Sequence, residues 1–348
     1  MLVKYYGLTK NSEFESLLPR YNFLSNGLFR MTQPKFLNDM GSESRLLPYF
    51  NKFSPADYEW AKREFSKNQR IASYTPSKEE LEVFLKPIGI RYGDSFPHML
   101  HQEGFKTMEA FDQEQLNKIA ALINDYLVET ISCKLGVFSL CNSDTNENMW
   151  TYYANSGEGL ALKFKQDHYF FKIYPPKEVN YNPEKRASLT YFKGMIRLNG
   201  YPLNNFKTNN FTSPIEVINS LQNNNIDIVD FAEKLLYSKA ENWASENESR
   251  IICPLSQCEK NSGKTIKPNI KIETPPDMQD YHNEYPEINL KKIPYDAFDS
   301  LIFGYNTKQE HISHIITEAK KNKELSHLKF QIAKHDVFGK IQIHDLLA

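Results

Sequence analysis

The sequence predicts an α+β fold: a mixed or antiparallel sheet assembled from both chain ends and interrupted by a helical insertion at about residues 54–134. Three observations carry this. Short strand-like runs lie near both termini, LVKYYGL at the start and DSLIFGY, LKFQI and KIQIH at the end. Between them the apolar spacing turns helical, and Leu116, Ile119, Ala120, Ile123 and Leu127 fall on one helix face. The 348 residues include 40% apolar and 13% aromatic side chains, ample for a core, and show no repeat at solenoid periods. A single elaborated domain over 1–348 is the expectation.

The elements follow in order. LVKYYGL alternates enough for a short strand. A helix is expected over Ser12 to Leu18, because Ser12 followed by Glu15 is a capping-box pattern. Gly27 ends the next turn, and Leu28 to Thr32 reads as a strand leading into PKFLNDM. After the helical stretch, GVFSLC is a strand, NENMWTYYAN a short helix and GLALKF a strand, with Asn155, Ser156 and Gly157 making the turn before the last. The Asn-rich pieces NYNP, LNGYPLNNFKTNNF and NSLQNNNID read as loops or caps. A helix from about Ile226 to Lys239 delivers the chain to a strand containing Glu246, Glu248 and Arg250. A long loop follows from Gln257 to about Tyr285, and then strand, helix (Gln309 to Lys321), strand, strand.

Composition narrows the functional classes. Basic and acidic residues number 42 and 43, for a net charge of -1. Gripping duplex DNA through its phosphates calls for a basic excess, so tight nucleic-acid binding is not expected. No apolar run approaches a membrane span, and the N-terminal stretch lacks a secretory signal. The cysteines, Cys133, Cys141, Cys253 and Cys258, contain no C-x-x-C. That pattern suits free thiols in a reducing cytoplasm and gives no reason to expect a zinc site.

The residues most suggestive of chemistry are Lys239, Trp243, Glu246, Glu248 and Arg250. Along an extended chain, Glu246, Glu248 and Arg250 project to one face, forming either a charged ladder or a grip on a polar ligand. An isolated E-x-E is more often a solvent-facing strand edge. Three other segments accompany this one: the crowded turn Met149, Trp150, Tyr152 and Tyr153, the adjacent Asn38 and Asp39, and the strand run Ser139-Leu140-Cys141. Taken singly, each has an ordinary explanation, since aromatics at helical spacing are usually core and paired Asx residues usually form a turn.

In order along the chain, these motifs resemble the family known as domain of unknown function 2971. The residues carrying the resemblance begin with Lys4 and Tyr5, then Phe36, Asn38 and Asp39, then Ser139 and Leu140. They continue with Met149, Trp150, Tyr153 and Ala154, then Lys239, Trp243, Glu246, Glu248 and Arg250, and close on the I-F-G-Y at 302–305. One departure is visible. The family commonly continues N-D-P with an aromatic and an acid, whereas here Met40, Gly41, Ser42 and Glu43 follow Asp39.

The arrangement also looks like that of mono-ADP-ribosyltransferases, in which a strand-borne E-x-E closes an NAD cleft. That resemblance implies an ADP-ribosyltransferase-like fold and NAD as substrate, with Glu248 stabilising the cationic ribose, Glu246 addressing the acceptor and Ser139 supporting the cleft. Tyr5, Trp150 or Tyr153 would stack on nicotinamide, and Arg250 would clamp the pyrophosphate. It further implies a bacterial toxin or defence effector acting on an acceptor that the sequence does not name. The absence of G-x-G-x-x-G argues against a Rossmann site, not against this one. Two alternatives stay open. One is a non-catalytic interaction module in which Lys239 and Arg250 simply pair with the glutamates. The other is a hydrolase using the carboxylates, with a metal held by Asp39, Glu246 and Glu248.

Overall fold

A computed structural model describes residues 1–10, 17–38, 44–68, 74–88, 96–203, 228–267 and 284–346. Its centre is an eight-stranded sheet of β1 (Leu2–Tyr6), β2 (Leu135–Cys141), β3 (Leu160–Phe164), β4 (Lys177–Glu178), β5 (Glu248–Pro254), β6 (Phe298–Phe303), β7 (Lys329–His335) and β8 (Ile341–Asp345). The spatial order is β8-β7-β6-β3-β1-β2-β5-β4. Neighbours are antiparallel except β6 and β7, which run parallel. A parallel pair needs a crossover, and the helix Gln309–Lys321 supplies it. The fold is thus α+β with mixed sheets, and strands from both ends of the chain meet in one sheet.

Strand alternation divides the core between the two faces of this sheet. On one face Leu2, Phe138, Leu140, Leu162, Phe164, Ile251 and Leu301 pack together. Phe29 is the hub of this layer, its ring centroid 5.4–5.7 Å from those of Phe23, Phe138, Phe164 and Phe298. On the other face Val3, Tyr5, Cys141, Ala161 and Ile302 pack against Trp150 and Ala154. These last two come from the short helix Glu147–Tyr152 and the residues after it.

The sheet parts in its middle. β1 is aligned with β3 along its whole length, from Leu2 opposite Phe164 to Tyr6 opposite Leu160. With β2 it shares one aligned pair among the described residues, Val3 opposite Cys141. Beyond that pair, side chains of β1 reach β2 and the loop that follows it. Lys4 Nζ donates to the Ser139 carbonyl at 2.9 Å, and the Tyr5 hydroxyl donates to the Ser143 carbonyl at 2.8 Å. An unpaired buried carbonyl is costly, so a lysine that reaches one across a split both satisfies the backbone and props the strands apart.

A second layer forms around the long helix Met108–Ser132. The Thr107 side chain caps this helix, and Leu116, Ile119, Ile123 and Leu127 are buried as its apolar spacing requires. They pack on a four-stranded sheet of residues 47–50, 188–192, 195–198 and 201–202. Here the reading of LNGYP as loop is corrected. Leu198 is paired with Tyr201, and Asn199 and Gly200 both have positive φ (46° and 88°), the geometry of a two-residue hairpin turn. Lys193 and Gly194 repeat it one strand earlier, with φ of 46° and 84°. Asp57, on the helix Pro55–Asn68, is fully buried against the opposite face of this sheet, where Arg197 Nε at 3.0 Å and Thr190 Oγ1 at 2.6 Å both donate to it.

Two further expectations need correction. Of the helix expected over Ser12 to Leu18, positions 12–16 lie outside the described residues, and Leu18 is instead strand, paired with Thr9. The stretch after Gln257 does not begin as loop. Lys260–Ile266 is a strand paired with Tyr285–Lys292, which in turn pairs with Leu28–Met31. Its side chains are nearly all exposed, so it carries no apolar alternation to betray it. Among the described residues, no helix is long and apolar enough to cross a membrane.

The turn into β3 is a packing constraint that can be tested. A Cβ on Gly159 would stand 2.1 Å from the Tyr6 carbonyl oxygen, which is backbone and has no rotamer to move. Gly159→Ala is therefore expected to lose about 1–3 kcal/mol of stability or more, read as a lowered urea midpoint with an unchanged slope.

Candidate functional site

The register of β2 against β5 sets the site. Arg250 lies opposite Ser139, and Glu248 opposite Cys141. Directly opposed residues share a sheet face, so Glu248, Arg250, Ser139 and Cys141 all project to the Trp150 side of the sheet. The strand begins at Glu248. Glu246 instead closes the short 3-10 helix Glu241–Glu246, and Asn247 turns the chain in the left-handed region with φ 47° and ψ 54°. The expectation that Glu246 and Glu248 alternate along one strand is thus corrected. An Asn suits such a turn because its short polar side chain tolerates positive φ.

The two carboxylates converge all the same, because Lys239 reaches both. Its Nζ lies 2.7 Å from Glu246 Oε2 and 3.5 Å from Glu248 Oε2. Arg250 makes a two-pronged contact with Glu248, Nε to Oε1 at 2.8 Å and Nη2 to Oε2 at 3.2 Å. Its Nη1 donates to the Leu236 carbonyl at 2.7 Å, at the end of the helix Ile228–Leu236. All four side chains are buried, none more than 6% exposed. The Tyr153 hydroxyl donates to Glu246 Oε1 at 2.7 Å, and Ser139 lies near enough to Glu248 to help lower its carboxyl. The backbone N–H of Glu248 donates to the Tyr181 hydroxyl at 2.9 Å.

Two cations thus balance two anions in a low-dielectric setting. Burial alone would raise the Glu248 carboxyl, but Arg250, Lys239 and Ser139 outweigh it and hold the group below the ordinary carboxylate range. Glu248 is therefore an anion at neutral pH. Burial and the bond to Glu246 hold the Tyr153 phenol well above its usual value. Lys4 moves the opposite way. Burial, against the pull of Glu248, lowers its ammonium to about 8, and nearby Arg20 pushes in the same direction.

A cavity of about 220 Å³ adjoins this cluster. It occupies the parting between β1 and β2, and Tyr5, Ser139, Tyr153, Glu246, Glu248 and Arg250 all line it. Six of the seven residues singled out from the sequence are therefore brought together. Trp150 is the exception. It is completely buried, its ring edge-on to Tyr5 at 5.0 Å and its Nε1 donating to the Asp144 carbonyl. The Tyr5 ring is packed in the same core, so Tyr153 is the more open aromatic at the rim. Arg250 is committed to Glu248 and Leu236. Asp39 and Glu43 lie outside the described residues, while Asn38 lines the cavity. Among the described residues, no three His, Cys, Asp or Glu side chains are grouped to hold a metal ion.

Lys4 and Arg30 also line the cavity, and neither was singled out as a site residue from the sequence. For Lys4 a signal existed. It occupies the Leu2 and Tyr6 face of β1, which alternation marks as the core side, and a lysine there needs a purpose. Arg30 gave none, because its neighbours in LFRMT read as an ordinary strand.

A family model described as "Protein of unknown function (DUF2971)" matches residues 149–251. The matched segment runs from the Tyr153 helix to the Arg250 strand, so it contains most of the charged cluster. No curated protein and no solved structure matches the chain.

Three outcomes follow from this geometry. Trp150→Ala should cost about 3–5 kcal/mol of unfolding free energy, as removal of a buried indole does. Glu248→Gln strands a buried guanidinium and should cost about 3–5 kcal/mol at neutral pH in urea unfolding. Because the Glu248 carboxyl is depressed in the folded protein, its contribution is fully present above the ordinary value of 4.5 and is lost as pH falls through the folded value. The gap between parent and variant should therefore narrow in acid. Lys4, followed by side-chain NMR, should titrate near about 8, and lower still in Glu248→Gln, where the carboxylate that supports its charge is gone.

Proposed function

We propose that the cavity between β1 and β2 binds the nicotinamide-ribose end of NAD, and that the protein is an ADP-ribosyltransferase-like enzyme. One observation carries the reading. An anionic Glu248, held by Arg250 and Lys239, and Glu246, bonded by Tyr153, face a cavity opened by the parting of a sheet. Convergent polar groups from distant segments are how small-molecule pockets are built. A volume of about 220 Å³ falls below the roughly 300–1,000 Å³ typical of pockets for drug-sized ligands, so only one end of a dinucleotide would enter.

Breaking the bond between nicotinamide nitrogen and ribose C1′ leaves positive charge on the ribose. A carboxylate already fixed and already ionised stabilises that charge without reorganising. Glu248 has this character, because Arg250 and Lys239 hold it in place and keep it charged. The two-pronged contact of Arg250 sets its orientation. Glu246, held by Lys239 and Tyr153, is the group placed to receive a proton from an incoming acceptor hydroxyl or amine. The setting of such an enzyme would be a bacterial toxin or defence effector.

A second reading has its own support. Lys239 and Arg250 neutralise both glutamates, and Arg250 also ties β5 to a helix end, which is what a non-catalytic interaction module would need from a structural strut. The experiment that separates the two measures nicotinamide released from NAD by the parent, Ser139→Ala, Glu246→Gln and Glu248→Gln proteins, each held well below its unfolding temperature. The expected result is release by the parent and a loss of about 100- to 1,000-fold in Glu248→Gln. Glu246→Gln is expected to keep hydrolysis and lose transfer. Equal rates in parent and Glu248→Gln, or no release by any of them, would leave the module reading standing.

A further inference from the structure

The carboxylate cavity continues into a second one of different character. Lys4, Tyr5, Arg30 and Thr32 line both, and the second has a volume of about 430 Å³. Its charged residues are Lys4, Arg20 and Arg30, and among the described residues no aspartate or glutamate lines it. Three cations around one hollow repel one another, the carboxylates that act on Lys4 lie in the adjoining cavity, and the chain as a whole is almost neutral, so this is not a general basic surface.

Each cation is placed by structure rather than by chance. Lys4 is anchored on the Ser139 carbonyl and lies over the Phe138 ring at 5.1 Å, which leaves N–H groups to spare. Arg20 follows the short strand Leu18–Pro19, and its backbone N–H is fixed on the Gly7 carbonyl at 3.1 Å. It stands close enough to Lys4 to help lower that ammonium. Arg30 is on the strand Leu28–Met31. Its Nη2 makes a long 3.4 Å contact with the Glu287 carbonyl, while its Nε is buried and lacks a partner among the described residues. A buried guanidinium N–H without an acceptor is expensive, and a bound oxyanion would satisfy it.

We propose that this second cavity is an anion subsite for a phosphate or pyrophosphate group, carried by a nucleotide whose other end enters the carboxylate cavity. The nucleotide half rests on the function proposed above; the anion half stands without it. The cleft as a whole is then bipolar. Glu246 and Glu248 lie at one end and Lys4, Arg20 and Arg30 at the other, matching a ligand with a cationic ring and an anionic middle. Arg250 is not needed for the phosphate, which resolves its commitment to Glu248.

The test is isothermal titration of the parent, Arg20→Gln and Arg30→Gln proteins with sodium pyrophosphate and, separately, with ADP-ribose. Thermal unfolding without ligand checks that each variant is folded, and Arg20, being exposed, should unfold as the parent does once replaced. Both ligands are expected to bind the parent, ADP-ribose more tightly. Each arginine variant should weaken both by about tenfold or more, and added salt should weaken pyrophosphate further. Failure of the parent to bind either ligand, or parental affinity in both variants, overturns the subsite. Arginine-dependent pyrophosphate binding with no gain for ADP-ribose overturns the nucleotide half alone. A parent that binds pyrophosphate through the arginines yet releases no nicotinamide from NAD supports the subsite and refutes the proposed function. Nicotinamide release whose KM for NAD is untouched by Arg20→Gln does the reverse.

Discussion

Everything about the site depends on one buried exchange of charge: Lys239 and Arg250 against Glu246 and Glu248. The four come from three local settings. Lys239 follows a helix, Glu246 ends a 3-10 turn, and Glu248 and Arg250 open a central strand. Removing any one of them would leave an uncompensated charge in the interior. Such a network is a poor source of stability, because apolar residues of the same volume often serve a fold equally well. Its presence beside a cavity therefore asks for another purpose. The purpose argued above is to keep a carboxylate ionised and motionless in a dry place.

The same economy of position explains the parting of the sheet. β3 and β5 hold β1 and β2 from their outer sides along full registers, and between β1 and β2 there is a single aligned pair. Lys4 meets the Ser139 carbonyl, Tyr5 meets the Ser143 carbonyl, and the backbone of Thr32 meets both backbone groups of Val137. A cleft made this way has rigid walls, since each wall is a strand paired on its far side. The groups that line the cavity inherit that rigidity, which is what electrostatic pre-organisation requires.

Much of this was legible in the sequence. The strands at the two chain ends, the amphipathic helix around Ile119 and the C-terminal strand-helix-strand-strand order follow from periodicities that burial imposes directly. So does the turn at Gly157. Tyr5, Ser139, Tyr153, Glu246, Glu248 and Arg250 could be gathered by resemblance alone, since nothing in the spacing of residues 5, 139 and 248 says that they meet. Trp150 misled because a buried indole and a stacking platform look identical in a sequence. The hairpins at 193–194 and 199–200 did carry a local signal, an Asn-Gly pair at the second, but the surrounding asparagines masked it. Lys260–Ile266 carried none, because a fully solvated strand has no face to mark. Arg30 was invisible for a related reason: its importance comes from Lys4 and Arg20, which long-range pairing brings to it.

Those two small hairpins have a consequence for how the chain acquires its structure. Residues 188–202 can close on themselves within microseconds, since each turn needs only its own two residues. The central sheet is assembled on another timescale. β1 must find β3 more than 150 residues away, and β3 must then accept β6, a further 130 or so residues along. During synthesis the first strand would leave the ribosome long before any partner exists for it, its hydrogen-bonding edges uncovered. A lysine in the middle of β1 would discourage premature pairing with other strands. Lys4 would then serve the protein first as a safeguard during folding and only afterwards as a wall of the cleft.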